Sequence, residues 1–205
     1  MPVLALVFLV LYGLLAFGLR MVVQLRRTGT SGFSGLRGLS GFVAIACGSL
    51  LVLAAVLLLV GPVLQLTGAL HALGGLEGEL PDVIGVTLAT VGIALTVLSQ
   101  FAMGNQWRIG VDPLERTELV AHGPFALVRN PIYAAMIPAF AGIALLAANV
   151  ATIAAAIIVL VALELHTRLI EEPYLLEVHG EQYASYAARV GRFLPGIGRL
   201  RRRHG

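Results

Sequence analysis

Four stretches of this chain, residues 3–19, 42–60, 83–103 and 132–163, carry no charged side chain at all. An apolar run of about 20 residues, wound as a helix, spans the roughly 30 Å hydrocarbon core of a bilayer. Within that core every backbone N–H and C=O needs an internal partner, so only helices and closed barrels cross it. These runs are continuously apolar rather than alternating in short segments, which excludes a barrel. The chain is therefore read as all-α and polytopic. Charged residues make up 12% of the sequence, about half the share of a soluble domain.

The last apolar stretch is too long for one span and is interrupted by Asn149. It reads as a tight hairpin of two short helices, 132–148 and 150–163, with Asn149 at the outer apex and Pro138 positioned to kink the first arm. That makes about five transmembrane helices. Gly61-Pro62 is expected to end the second. In the third, Gly85 and Gly92 permit close approach of a neighbour, and Thr87, Thr90, Thr96 and Ser99 can bond to their own backbone or to adjacent helices.

All 14 basic residues are arginine, which fits a GC-rich genome and says nothing of nucleic acid. Their distribution reports topology. Arg20, Arg26 and Arg27 follow the first span rather than precede it, so the expectation is a retained helix rather than a cleaved leader. Segment 63–82 has Glu77, Glu79 and Asp82 but no arginine, whereas the connectors at 28–41 and 104–131 and the tail from 164 carry the rest. Basic residues prefer the cytoplasmic side. The expected arrangement has the N-terminus outside, the C-terminus inside, and a bacterial plasma membrane as its setting. Residues 1–104 read as three N-terminal spans. Residues 105–205 read as the functional region.

Two polar clusters reach the membrane on that same side. The first is Glu118–Tyr133, E-L-V-A-H-G-P-F-A-L-V-R-N-P-I-Y, with a turn at Gly123-Pro124, a charge at Arg129 and a second break at Asn130-Pro131. Proline suits the first turn of a helix, and Asn130 before it can cap. The freed backbone N–H groups would suit an anion. The second cluster is Glu164, His166, Arg168, Glu171 and Glu172, where positions 164, 168, 171 and 172 share a helical face. By spacing alone this is an ion-paired helix end or a polar pocket lined by carboxylates. Cys47 is solitary and the five histidines show no H-x-x-x-H spacing, so no metal site of the usual kind is expected.

The stretch G-P-F-A-L-V-R-N-P-I-Y resembles the G-P-Y-x-x-V-R-[HN]-P-x-Y signature of the isoprenylcysteine carboxyl methyltransferase and phospholipid methyltransferase superfamily. The later stretch E-E-P-Y-L-L-E-V-H-G-E-Q-Y-A-S-Y-A-A-R-V-G-R-F-L-P resembles its second signature: E-E-x-x-L, then G-x-x-Y-x-x-Y, then a basic residue before a proline. The two occur in the expected order, separated by the hairpin. The resemblance implies S-adenosyl-L-methionine as cofactor, bound at the cytoplasmic membrane surface. Carried over by position, its contacts fall on Thr117, Glu118, Leu119 and Val120, on Gly123 and Phe125, on Asn130, Pro131, Ile132 and Tyr133, and on Glu171, with Gln106 as an upstream polar contributor. Phe125 replaces a tyrosine common in the family, and Asn130 replaces a histidine. Arg168 is the nearest match to an arginine that contacts substrate.

Methyl transfer from a sulfonium requires alignment and exclusion of water rather than a metal or covalent nucleophile. Arg168 or Arg129 would orient a carboxylate acceptor; a glutamate such as Glu172 would serve an amine as general base. The expected partner is a lipid-like or prenylated acceptor whose tail enters from the bilayer. Two other classes remain at this point. Membrane sterol and steroid reductases carry a similar R-H-P-x-Y element and bind NADPH, but this chain has Asn130 at the histidine. A non-catalytic membrane protein would not need both Glu171-Glu172 and Arg129-Asn130-Pro131.

Overall fold

The computed structural model describes residues 1–31, 41–107 and 118–200. Helix α1, Pro2–Thr28, changes from α to π geometry over Gly13–Leu19 and back. Then come α2 (Phe42–Leu66), α3 (Glu79–Ala102), α4 (Pro131–Leu146) and α5 (Val150–His166). A second π turn, Thr167–Glu171, leads into α6 (Glu172–Arg189), a polar helix beyond the apolar part of α5, kinked at Gly180. No strand occurs among the described residues; Val128 and Gly191 form one isolated parallel bridge. The polytopic all-α reading holds. Four helical stretches are long and apolar enough to cross a bilayer, and α4 is shorter at 16 residues, about 24 Å at 1.5 Å per residue.

The bundle turns apolar side chains outward. Along α1, Val3, Val7, Val10 and Leu14 are each more than half exposed, a stripe at helical spacing that suits lipid. Its inner seams use small residues. α3 packs on α4 through Gly85, Ala89 and Gly92 against Ala139 and Gly142. A Cβ at Gly142 would lie 2.4 Å from the Ala89 N, and one at Gly92 would lie 2.4 Å from the Ala139 N. Lipid offers no hydrophobic gain for helix association, so close backbone approach carries the attraction. Thr87 and Thr96 bond back to Val83 O and Gly92 O, as their positions suggest.

The second helix differs from expectation. Gly61-Pro62 does not end it: α2 runs on to Leu66 with Pro62 inside. The hairpin packs against this turn. Asn149, fully buried at its apex, donates to Gly61 O at 3.0 Å and to Gln65 Oε1 at 3.0 Å. Its Oδ1 accepts from Ala151 N and Thr152 N, while Thr152 Oγ1 accepts from Asn149 N. One side chain thus caps α5 and stitches it to the proline-bearing turn of α2.

Met1 lies with Gln65, Asp82 and Leu146 at one end of the bundle. At the other end, Arg20 and Gln24 of α1 bond to the Gly104–Gln106 turn after α3. The chain segments around Arg129 and α6 cap this second end.

Candidate active site

Gly123, with φ of +59°, opens a 3₁₀ turn over Gly123–Ala126 that a residue with a Cβ would strain. The turn buries Phe125, whose carbonyl accepts from the Tyr186 hydroxyl at 2.6 Å. The chain then runs beside Gly191 and Arg192, with Arg129 N–H donating to Gly191 O at 2.8 Å and Asn130 N–H to Arg192 O at 3.0 Å. Pro131 starts α4, where its missing N–H costs nothing. Asn130 stands at the cap position, but its side chain does not cap, contrary to expectation. Its backbone N–H is spent on Arg192 O, its carbonyl accepts from Ala134 N, and its Nδ2 is buried without a hydrogen-bond partner.

Behind this segment lies an ionic lattice. Arg129, 5% exposed, gives Nη1 to the carbonyls of Ala187 and Val190 and Nη2 to Gly198 O and Glu172 Oε1. Arg192 donates to both Glu172 oxygens, at 2.9 and 2.8 Å, and to Glu164 Oε1 at 2.9 Å. Burial pushes the Glu172 carboxyl up, but hydrogen bonds from Arg192 and Arg129 and their charges outweigh it and hold the group below its usual range. The hydrogen bond to Glu172 raises Arg192 in turn. Arg129 and Glu172, expected to orient an acceptor and to act as base, have both Nη atoms of the arginine and both oxygens of the glutamate bonded within the protein.

Nor do positions 164, 168, 171 and 172 line one pocket. The π turn at Thr167–Glu171 breaks the regular spacing. Glu172 faces the two arginines, whereas Glu171 faces the opposite way and accepts from the Tyr133 hydroxyl at 2.6 Å, with His166 Nε2 at 3.4 Å. Arg168 is 58% exposed in its side chain and pairs with Glu164 at 2.6 Å. It stands outside the cleft described next.

That cleft opens between the start of α4, the π turn and α6, with a volume of about 170 Å³. Of the residues singled out by sequence, it brings together Gln106, Glu118, Leu119, Val120, Phe125, Arg129, Asn130, Tyr133 and Glu171. Gly123, Pro131 and Ile132 do not line it and act through the backbone path they set, and Thr117 lies outside the described residues. Six further lining residues were not anticipated: Met103, Tyr174, Leu175, His179, Tyr183 and Tyr186. The i, i+3 tyrosines of the second motif were the available signal for the last two. Arg192, the basic residue before that motif's proline, carried no hint of its three carboxylate contacts.

The family model for phospholipid methyltransferases matches residues 81–182, from α3 into α6. Among solved structures, the fold is similar to that of the eukaryotic intramembrane Ras methyltransferase, isoprenylcysteine carboxyl methyltransferase, with a TM-score of 0.56 and 18% identity over 89% of this chain and 62% of that one. The chain thus spans less than two thirds of that enzyme's length. No curated protein matches significantly. Residues 81–182 thus match the phospholipid methyltransferase family, and the likeness to the isoprenylcysteine enzyme is one of fold.

Proposed function

We propose that this protein is an integral membrane methyltransferase that uses S-adenosyl-L-methionine to methylate a lipophilic acceptor, a prenylcysteine-type carboxylate or a lipid amine. The observation that carries the reading is the convergence of Glu118–Val120, Phe125, Asn130, Tyr133 and Glu171 on one cleft, although they come from three separate segments. Residues 105–205 then form the catalytic region, with the cleft on the arginine-rich, cytoplasmic side.

The residues present fit the cofactor. The orphaned Asn130 Nδ2 is a buried donor in want of an acceptor. Glu171 presents a carboxylate suited to an ammonium or to ribose hydroxyls. Phe125, Tyr133, Tyr183 and Tyr186 provide aromatic walls that tolerate a cation. The cofactor supplies an electrophilic methyl group on a positively charged sulfur. The chain's part is to hold donor and acceptor in line and keep water out. Tyr133 fixes the Glu171 carboxylate by donating to it. The Arg129–Glu172–Arg192 lattice fixes the backbone at Asn130 from behind. An acceptor's apolar tail stays among the lipid-facing helices, since exposing it to water would cost roughly 0.8 kcal/mol per methylene.

Calorimetric titration of S-adenosyl-L-methionine and its demethylated product into detergent-purified protein tests this, with NADPH run alongside. Micromolar binding of the first two and none of NADPH is expected. NADPH binding alone would replace the reading with a reductase.

A further inference from the structure

The most deeply buried charge in the described structure lies outside this cleft. Arg20 of α1 has no exposed surface. Its Nη2 donates to Gly104 O, and its guanidinium stacks on two aromatic rings, 4.8 Å from the Trp107 centroid and 5.3 Å from that of Phe101. Among the described residues no carboxylate pairs with it, and its Nε and Nη1 have no hydrogen-bond partner. A guanidinium stays charged at any working pH. An unpaired buried cation is costly, and apolar side chains of similar size pack such a site at less cost. Packing alone therefore does not account for an arginine here.

The neighbouring contacts show what it holds. One turn on, Gln24 Nε2 donates to Asn105 O at 2.9 Å. In the reverse direction, Gln100 Nε2 of α3 donates to Ala16 O at 3.0 Å, a carbonyl within the π stretch of α1. A single π insertion rotates the rest of a helix by about 100°, and here Arg20 and Gln24 both face inward. The two side chains grip consecutive carbonyls of the Gly104–Gln106 turn. Met103 and Gln106, at the two ends of that turn, line the cleft.

We propose that Arg20, seconded by Gln24, is a positioning residue for the cofactor cleft: it clamps the Gly104–Gln106 turn so that Gln106 and Met103 are held as a preformed cleft wall. The proposal rests on the methyltransferase reading for its ligand, but not for its geometry. The guanidinium suits the task because one planar group bonds a carbonyl at its edge while stacking on rings with its face.

The test uses full-length protein in detergent and two readouts: amide hydrogen exchange over residues 103–107, and calorimetric affinity for S-adenosylhomocysteine. Arg20→Gln is expected to speed exchange of the Gln106 amide, which donates to Met103 O at 3.1 Å, by tenfold or more. Affinity should weaken by a similar factor while exchange in α2 and α5 stays unchanged. Gln24→Ala should move both readouts the same way by less. Arg20→Lys, which keeps the charge but loses the planar stack, should recover only part of the affinity. Unchanged exchange in Arg20→Gln overturns the proposal, and so does faster exchange with unchanged affinity. Should Arg20→Gln fail to fold, Gln24→Ala decides by the same pair. If the wild type binds no S-adenosylhomocysteine, the functional reading falls, and the exchange data alone uphold or overturn the clamp.

Discussion

The α3–α4 seam and the Arg129–Glu172–Arg192 lattice are both fully packed contacts between distant parts of the chain, yet they cohere by opposite means. The seam has no charge and almost no side chain: Gly85, Ala89 and Gly92 meet Ala139 and Gly142 backbone to backbone. The lattice is built of the longest charged side chains, each bonded several times over. In lipid, apolar side chains gain nothing by leaving the solvent, so attraction comes from proximity. Where the helices leave the bilayer, pairing stabilises these buried charges, and pairing gives direction that packing lacks. The seam therefore sets where the helices stand, and the lattice sets how the backbone at Asn130 is aimed.

The largest expected effect breaks the lattice. Glu172→Gln leaves Arg129 and Arg192 buried without their shared counter-charge, and should cost roughly 3–5 kcal/mol, read as a loss of thermal stability in detergent. If the variant melts like wild type, the lattice is not what holds this end together. Gly142→Ala strikes the seam instead: its Cβ has nowhere to go without parting α3 from α4, at about 1–3 kcal/mol. A wild-type melting curve for this variant would show that the seam can relax.

Smaller effects sharpen the contrast between the neighbouring glutamates. Glu171→Ala should weaken S-adenosyl-L-methionine binding about tenfold, or about 1.4 kcal/mol, with little change in melting temperature. Arg168→Ala, removing an exposed pair, should alter stability by less than about 1 kcal/mol and leave cofactor affinity unchanged. Equal affinities for wild type and Glu171→Ala would remove Glu171 from the site. The mildest test is pH. Because the lattice holds the folded Glu172 carboxyl below its ordinary value, the unfolded chain binds the proton first as pH falls. The lattice's contribution is complete above the usual carboxylate range and declines as pH drops through the lowered value. A melting series from pH 6 to pH 3 should fall more steeply for wild type than for Glu172→Gln.

Legibility in the sequence followed the range of the interaction. Uncharged runs announced the spans, because a helix across lipid needs only its own residues to satisfy its backbone. Gly123-Pro124, Asn130-Pro131 and Asn149 announced breaks, because the rules for turns and caps are local. Pro62 misled because a proline removes one hydrogen bond of a helix without having to end it, and this helix runs on to Leu66. Of the face predicted for Glu164, Arg168, Glu171 and Glu172, the first two and Glu172 stay linked through ion pairs with one another and Arg192, whereas Glu171, at the end of the π turn, bonds Tyr133 instead.

What the sequence determined by itself was the material for a polytopic helical protein, the position of its hairpin, and two motifs that resemble one superfamily. What only the tertiary structure decided was the assignment of charges. Glu171 faces a cleft and Glu172 a lattice, Arg129 lines that cleft while bonding Glu172, and Arg20 grips a turn 84 positions away. A charge is satisfied by whatever the fold brings within about 3 Å. Partners that far apart in the chain meet only once the helices have been set side by side.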